Sequence, residues 1–129
     1  MKIAAIIARY LLGLLFLVFG LNGFLHFIKL PPPTNPLAIS FYTGLIGSHY
    51  AYMFFALQVL GGVLLLAGYF VPVALIVLAA EIVNILTFHV TMEPSTIVQG
   101  ILPLVLWLIV FVQYRGSFAG VLAAKPTQA

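Results

Sequence analysis

The chain has 129 residues, of which 64% are hydrophobic and only 5% charged, against roughly 25% charged in an ordinary soluble domain. A soluble domain of this length could not hide so much apolar surface, because surface-to-volume scaling leaves much of a small protein exposed, so the composition calls for a bilayer. The net charge of +3 is scattered without a basic run or basic helix face, which excludes a nucleic-acid partner, and the absence of cysteine excludes disulfides, thiolate metal sites and cysteine-ligated iron–sulfur clusters.

A membrane-spanning helix needs about 20 mainly apolar residues at about 1.5 Å rise each. Residues 3–25, 51–70, 71–90 and 97–114 qualify. They predict a single integral membrane domain over residues 1–129, all-α, a four-transmembrane-helix bundle with a short interfacial helix in the first outer loop. The start of the chain has Lys2 and Arg9 before an apolar run, as a secretory signal would, but the run closes on Phe19, Gly20, Leu21 and Asn22 without a small-x-small site, so a retained helix is expected.

The one long connection, residues 26–49, contains Pro31, Pro32 and Pro33, which favour polyproline II and forbid helix. Asn35 and Pro36 then form a good N-cap and N1 pair, and Leu37, Phe41, Leu45 and Ile46 follow at helical spacing. A short helix lying in the membrane interface, ended by Gly44 or Gly47, is predicted, with Tyr42, Tyr50 and Tyr52 as an aromatic belt.

Gly68 stands where a helix C-cap is wanted and Pro72 where the next helix can begin, so the second and third spans form a tight hairpin. Glu93, Pro94 and Ser95 separate the third and fourth spans, with Ser95 placed to cap the fourth, and Gly116 is expected to end it. Gly13 and Gly20 share the face of Arg9, and Gly61 and Gly68 share a stripe on the second span, where small residues let backbones approach. Lys2, Arg9, Arg115 and Lys125 fall on the side of the termini and Lys29 alone on the other, so the positive-inside rule predicts cytoplasmic termini. His26, Lys29, His49, His89 and Glu93 then face outward.

Ionisable side chains within the hydrocarbon layer cost about 2.5–3.5 kcal/mol each on insertion scales, and Arg9 and Glu81 both require a reason. Two readings stand. Arg9 reaches Glu81 to form a buried ion pair or ligand-binding polar site, or Arg9 extends to the cytoplasmic surface while Glu81 stays protonated or pairs locally. Asn84 follows Glu81 by one turn and His89 is rotated from it by about 80°, so these groups share a broad face that is expected to point into the bundle. Gln58 and Asn22 are the expected companions. As interhelical hydrogen-bonding groups alone, each contributes about 0.6 kcal/mol.

The predicted topology puts His26, His49 and His89 on one side, where they could converge. Facing histidines can ligate haem, and three with Glu93 could hold zinc or iron, while neutral imidazoles could serve a quinone carbonyl. No HxxxH or HExxH spacing is present, so the expectation is histidines without bound metal.

The order Arg9, Gly13, Phe16, Gly20, Leu21 and Asn22, a proline-rich loop, Gly61, Gly62, Leu66 and Gly68, then Val83, Asn84, Ile85, Phe88 and His89 resembles the DoxX family of small bacterial membrane proteins over nearly the whole chain. The resemblance implies four spanning helices in a bacterial cytoplasmic membrane and an association with quinone-linked oxidoreductases or oxidative-stress responses. It also implies a glutamate where this chain has Gln58 and a neutral residue where it has Glu81.

Two functions are therefore expected. The first is a redox-associated subunit that receives a quinone, less readily a haem, with Arg9, Asn22, Gln58, Glu81, Asn84 and His89 as ligand-binding candidates and a redox protein as partner. The second is a non-enzymatic membrane protein that binds lipid, moves a small solute or scaffolds a partner. Autonomous catalysis is disfavoured in both, and an oligomer is compatible with either.

Overall fold

The computed structural model describes residues 2–129, and among them the chain is entirely helical, without strands. Helices α1 (Lys2–Leu25), α2 (Pro36–Gly47), α3 (Ala51–Ala67), α4 (Val71–Thr91) and α5 (Val98–Tyr114) follow in order, with single 3-10 turns at Pro94–Thr96 and Arg115–Phe118. Three of these segments, Lys2–Leu25, Val71–Thr91 and Val98–Phe118, are long and apolar enough to cross a membrane. Pro36–Gly47 and Ala51–Ala67 pass the same test only as a pair bent by 81°. Taken alone, the 17 residues of α3 reach only about 25 Å, short of a hydrocarbon layer of about 30 Å.

The helix ends follow from local chemistry. Asn35 caps α2, its side chain accepting from the Leu37 N–H, and Pro36 opens the first turn. Gly68 closes α3 at φ 74°, a left-handed conformation that costs a residue with a Cβ, so α3 stops at Ala67 and not at residue 70. Pro72 then opens α4, which completes the hairpin.

Two sequence expectations change here. Ser95 does not cap the last span: Pro94–Thr96 forms its own 3-10 turn, and the Ser95 hydroxyl donates to the Glu93 carboxylate at 3.0 Å. Gly116 lies within a second 3-10 turn after α5, and this turn carries the buried Phe118 back onto Phe111, ring centroids 5.1 Å apart.

The core runs between α1, α3, α4 and α5 and is built from Leu12, Phe16, Leu65, Leu75, Leu78 and Val110 with their neighbours. The α1–α3 contact is the most extensive, because Gly13, Gly20 and Gly62 bring the two backbones together. Gly61 faces the other way, onto Leu78 of α4, and Gly68 is a cap, so the two glycines of the predicted stripe on this helix take separate roles. Trp107 of α5 stacks on Phe111 at 5.0 Å and donates from Nε1 to the Leu75 carbonyl at 2.8 Å, which ties α5 to α4. Outside the core the surface remains apolar, with Ile3, Ile7, Leu11, Ile76, Val83 and Leu102 among its exposed residues, as lipid contact requires.

Candidate functional site

The helices enclose one large cavity of about 890 Å³. Its walls come from α1, α2, α3, α4, α5 and the proline-rich loop, and Phe16, Phe19, Phe54, Phe55 and Phe88 supply much of its surface. A second hollow, of about 420 Å³, is lined only by Val112, Gln113, Arg115 and Gly116 and is a groove on one segment with no converging side chains.

Glu81 stands at the midpoint of α4 and is 2% exposed. Gln58 of α3 donates from Nε2 to Glu81 Oε2 at 3.1 Å, and both residues line the large cavity. Arg9 does not take part. Its guanidinium lies over the Tyr10 ring, 4.6 Å from the centroid, and donates from Nη1 to the carbonyl of Leu65 in the last turn of α3. A cation at a helix C-terminus meets unbonded carbonyls and the negative end of the helix dipole, so Arg9 is drawn toward Gly68 and away from Glu81.

The other candidate residues have separate positions. Asn22 lines the cavity but is committed to the chain leaving α1, accepting from the Ile28 N–H at 2.7 Å and donating to the Ile28 carbonyl at 3.2 Å. Asn84 lines it too, with its amide donating to the Ala80 carbonyl of its own helix at 2.9 Å. His89 is buried and lines the cavity. The Thr96 hydroxyl donates to the Glu93 carbonyl at 3.4 Å, and His89 Nδ1 lies 3.0 Å from that hydroxyl oxygen and 3.2 Å from the same carbonyl. A carbonyl can only accept, so in the tautomer with the proton on Nδ1 the ring donates to it and Nε2 is left as an acceptor.

The three histidines are not gathered into one place. His26 lines the cavity, whereas His49 lies outside its lining, its ring tilted against Tyr52 with centroids 5.2 Å apart. Among the described residues no three His, Asp or Glu side chains lie close enough to share a metal ion. Glu93, the other acid considered for such a set, is occupied: its carboxylate accepts from the Thr34 N–H and hydroxyl at 2.8 Å each, the Asn35 N–H at 3.1 Å and Ser95. The Asn35 N–H, then the Thr34 hydroxyl and N–H, lower its pKa to about 2 from the usual 4.5. The carboxylate also faces the N-terminus of α2, where an anion is favoured.

This tether is the feature that sequence reading misses. Glu93 holds the proline-rich loop and the start of α2 against the end of α4, where they line the cavity, assisted by Phe41 against Phe88 with centroids 5.8 Å apart. The only available signal was indirect, namely uncapped N–H groups after the proline run and one acid in the facing turn. Pro103 is a second omission. It sits inside α5, where it removes the N–H that would bond the Gln99 carbonyl, and both residues line the cavity.

The cavity thus offers a deep carboxyl–amide pair within aromatic and aliphatic walls. It can hold an apolar body and satisfy one polar head. Compared with known proteins, the chain finds no match among protein-family models, curated proteins or solved structures.

Proposed function

We propose that the chain is a DoxX-like integral membrane protein with four spans, and that it receives a quinone or similar apolar amphiphile in its central cavity as an accessory subunit to a redox partner. In this reading α2 and α3 together complete the fourth span, bent at residues 48–50. Both termini lie in the cytoplasm, consistent with Lys2, Arg9, Arg115 and Lys125 on their side of the bundle.

The observation that carries the reading is the Glu81–Gln58 pair opening into an aromatic-walled cavity of about 890 Å³, within the range of about 300–1,000 Å³ that small-molecule sites occupy. Glu81 and His89 are separated by eight residues of one helix, about 12 Å along its axis, too far to act as an acid–base pair on one substrate atom. This favours binding over autonomous catalysis. Organic extraction of the protein purified in mild detergent tests the reading: about one quinone per chain is expected, and a sample without quinone that also fails to take up an added short-chain benzoquinone overturns it.

A second reading is favoured by Glu81 itself. A carboxyl at the middle of a spanning helix suits a non-enzymatic carrier in which a small solute moves with a proton. Flux of a solute into proteoliposomes that is unchanged by Glu81→Gln would remove it.

A further inference from the structure

The charges of the chain are distributed unequally about the cavity. The sequence contains two acidic residues and five Lys or Arg. Both acids, Glu81 and Glu93, line the large cavity, and none of the Lys or Arg residues does. Arg9, the one cation embedded in the bundle, is turned away onto the α3 C-terminus. A chain of net positive charge therefore has both of its acidic residues, and none of its Lys or Arg, at the cavity wall.

The hydrogen-bonding inventory has the same sign. Glu81 Oε2 accepts from Gln58, and no hydrogen bond among the described residues engages Glu81 Oε1, Gln58 Oε1 or His89 Nε2. Among the described residues the only buried side-chain nitrogen or oxygen without a partner is Arg9 Nε, so those three atoms are accessible, and their residues line the cavity. Of the cavity donors, Asn22 bonds Ile28, Asn84 bonds Ala80 and Thr96 bonds Glu93, while the Gln99 amide and the Tyr42 hydroxyl also line the space. With both acids and no Lys or Arg in its lining, the cavity favours a ligand that brings positive charge. The phenylalanine walls reinforce this, since aromatic faces attract cations while giving an apolar body its burial.

We propose that the cavity takes a lipophilic organic cation, a compact aromatic or aliphatic body with one positive charge, which exchanges with a proton at the Glu81 carboxyl. When the cation enters, the O–H bond of Glu81 breaks and the proton leaves to solvent, so the site holds one compensating charge before and after. The other titratable groups facing this space are His26 after α1, Tyr42 of α2, and His89 and Glu93 on the α4 side; α3 and α5 contribute none. Glu93 is saturated by four donors and does not compete for the ligand. The inference rests on the cavity being a ligand site, and it departs from the expectation that the ligand is a quinone.

The test uses the full chain in detergent with tetraphenylphosphonium as the cation and triphenylphosphine oxide as its uncharged counterpart, followed by equilibrium dialysis in weak buffer. The cation is expected to bind the wild type, to release about one proton per cation bound, and to bind more weakly as pH falls, as reciprocal linkage requires. Glu81→Gln is expected to weaken cation binding at least about tenfold while leaving the neutral oxide unaffected. Glu81→Asp, which keeps the charge, should retain both binding and proton release, and it decides the matter if Glu81→Gln does not fold. Equal cation affinity in wild type and Glu81→Gln, binding without proton release, absence of binding to the wild type, or a folded Glu81→Asp that takes the oxide but not the cation would overturn the proposal. Quinone extraction reads the other hypothesis independently: quinone without cation binding refutes only this inference, and cation binding without quinone refutes only the redox assignment.

Discussion

Replacing Gly62 by alanine tests how the bundle closes. A Cβ at this position would lie 2.7 Å from the Leu17 nitrogen, 2.8 Å from the Gly13 carbonyl oxygen and 3.0 Å from the Leu17 Cα, all backbone atoms of α1. Backbone cannot rotate aside, so the two helices must separate along their most extensive contact. Overpacking costs about 1–3 kcal/mol, and this site belongs at the upper end. Removing a helical glycine returns about 0.5–1 kcal/mol, which leaves a net loss of about 2 kcal/mol. At Gly61 the new Cβ meets only the Leu78 side chain, at 2.6 Å from Cγ and Cδ2, and a rotamer change can relieve part of that contact. Gly44, with nothing within 4 Å, should accept alanine without loss. Unfolding in mixed micelles of rising dodecyl sulfate fraction, followed by helical circular dichroism, should give the order Gly44→Ala, Gly61→Ala, Gly62→Ala from most to least stable. A Gly62→Ala protein as stable as the wild type, or less damaged than Gly61→Ala, would refute the backbone-contact argument.

The Glu93 tether predicts a pH response. Its pKa is lowered in the folded state, so its contribution is complete above the usual carboxylate value of 4.5 and is lost as pH falls through that value toward about 2. Amide exchange at Thr34, Asn35 and Leu37 should accelerate over that interval, and Glu93→Gln, which presents an amide to donors, should show the faster exchange already at neutral pH. Gly68→Ala should destabilise by about 1–2 kcal/mol in the same micelle assay, because φ 74° is left-handed and the new Cβ would lie 3.1 Å from Arg9 Nη1. Single cysteines introduced at Lys29 and Lys125 have no native thiol to compete with, and an impermeant maleimide applied to intact cells should label the first and spare the second.

The legible parts of the fold were those governed by neighbours in sequence. Asn35 with Pro36, and Gly68 with Pro72, fix their helix ends through one or two residues, and the apolar windows locate the long helices to within a few residues. Placement in space was less legible, because it depends on which faces meet. The open carbonyls at the α3 C-terminus hold Arg9 while Glu81 meets Gln58 midway along α3, and no pattern within α1 announces that choice. Gly61 and Gly62 are adjacent but face α4 and α1 respectively, a division set by the packing of three helices. The Glu93 contacts join residues 58 and 59 positions apart and have no local signature. Gln58, Glu81, Asn84, His89 and Asn22 share a cavity because α1, α3 and α4 surround it, whereas His49 is excluded by the loop that turns it toward Tyr52.

The central claim is that the space beside Glu81 is a ligand site. Leu102 lines this cavity from α5 outside the packed core, so Leu102→Trp narrows the space without disturbing that core. Native mass spectrometry of wild type and Leu102→Trp, each offered a short-chain benzoquinone and tetraphenylphosphonium separately, measures occupancy directly. A ligand site gives a one-to-one adduct on the wild type with at least one of the two and a weaker adduct in Leu102→Trp; no adduct with either, or an adduct equally abundant in the narrowed variant, would contradict it.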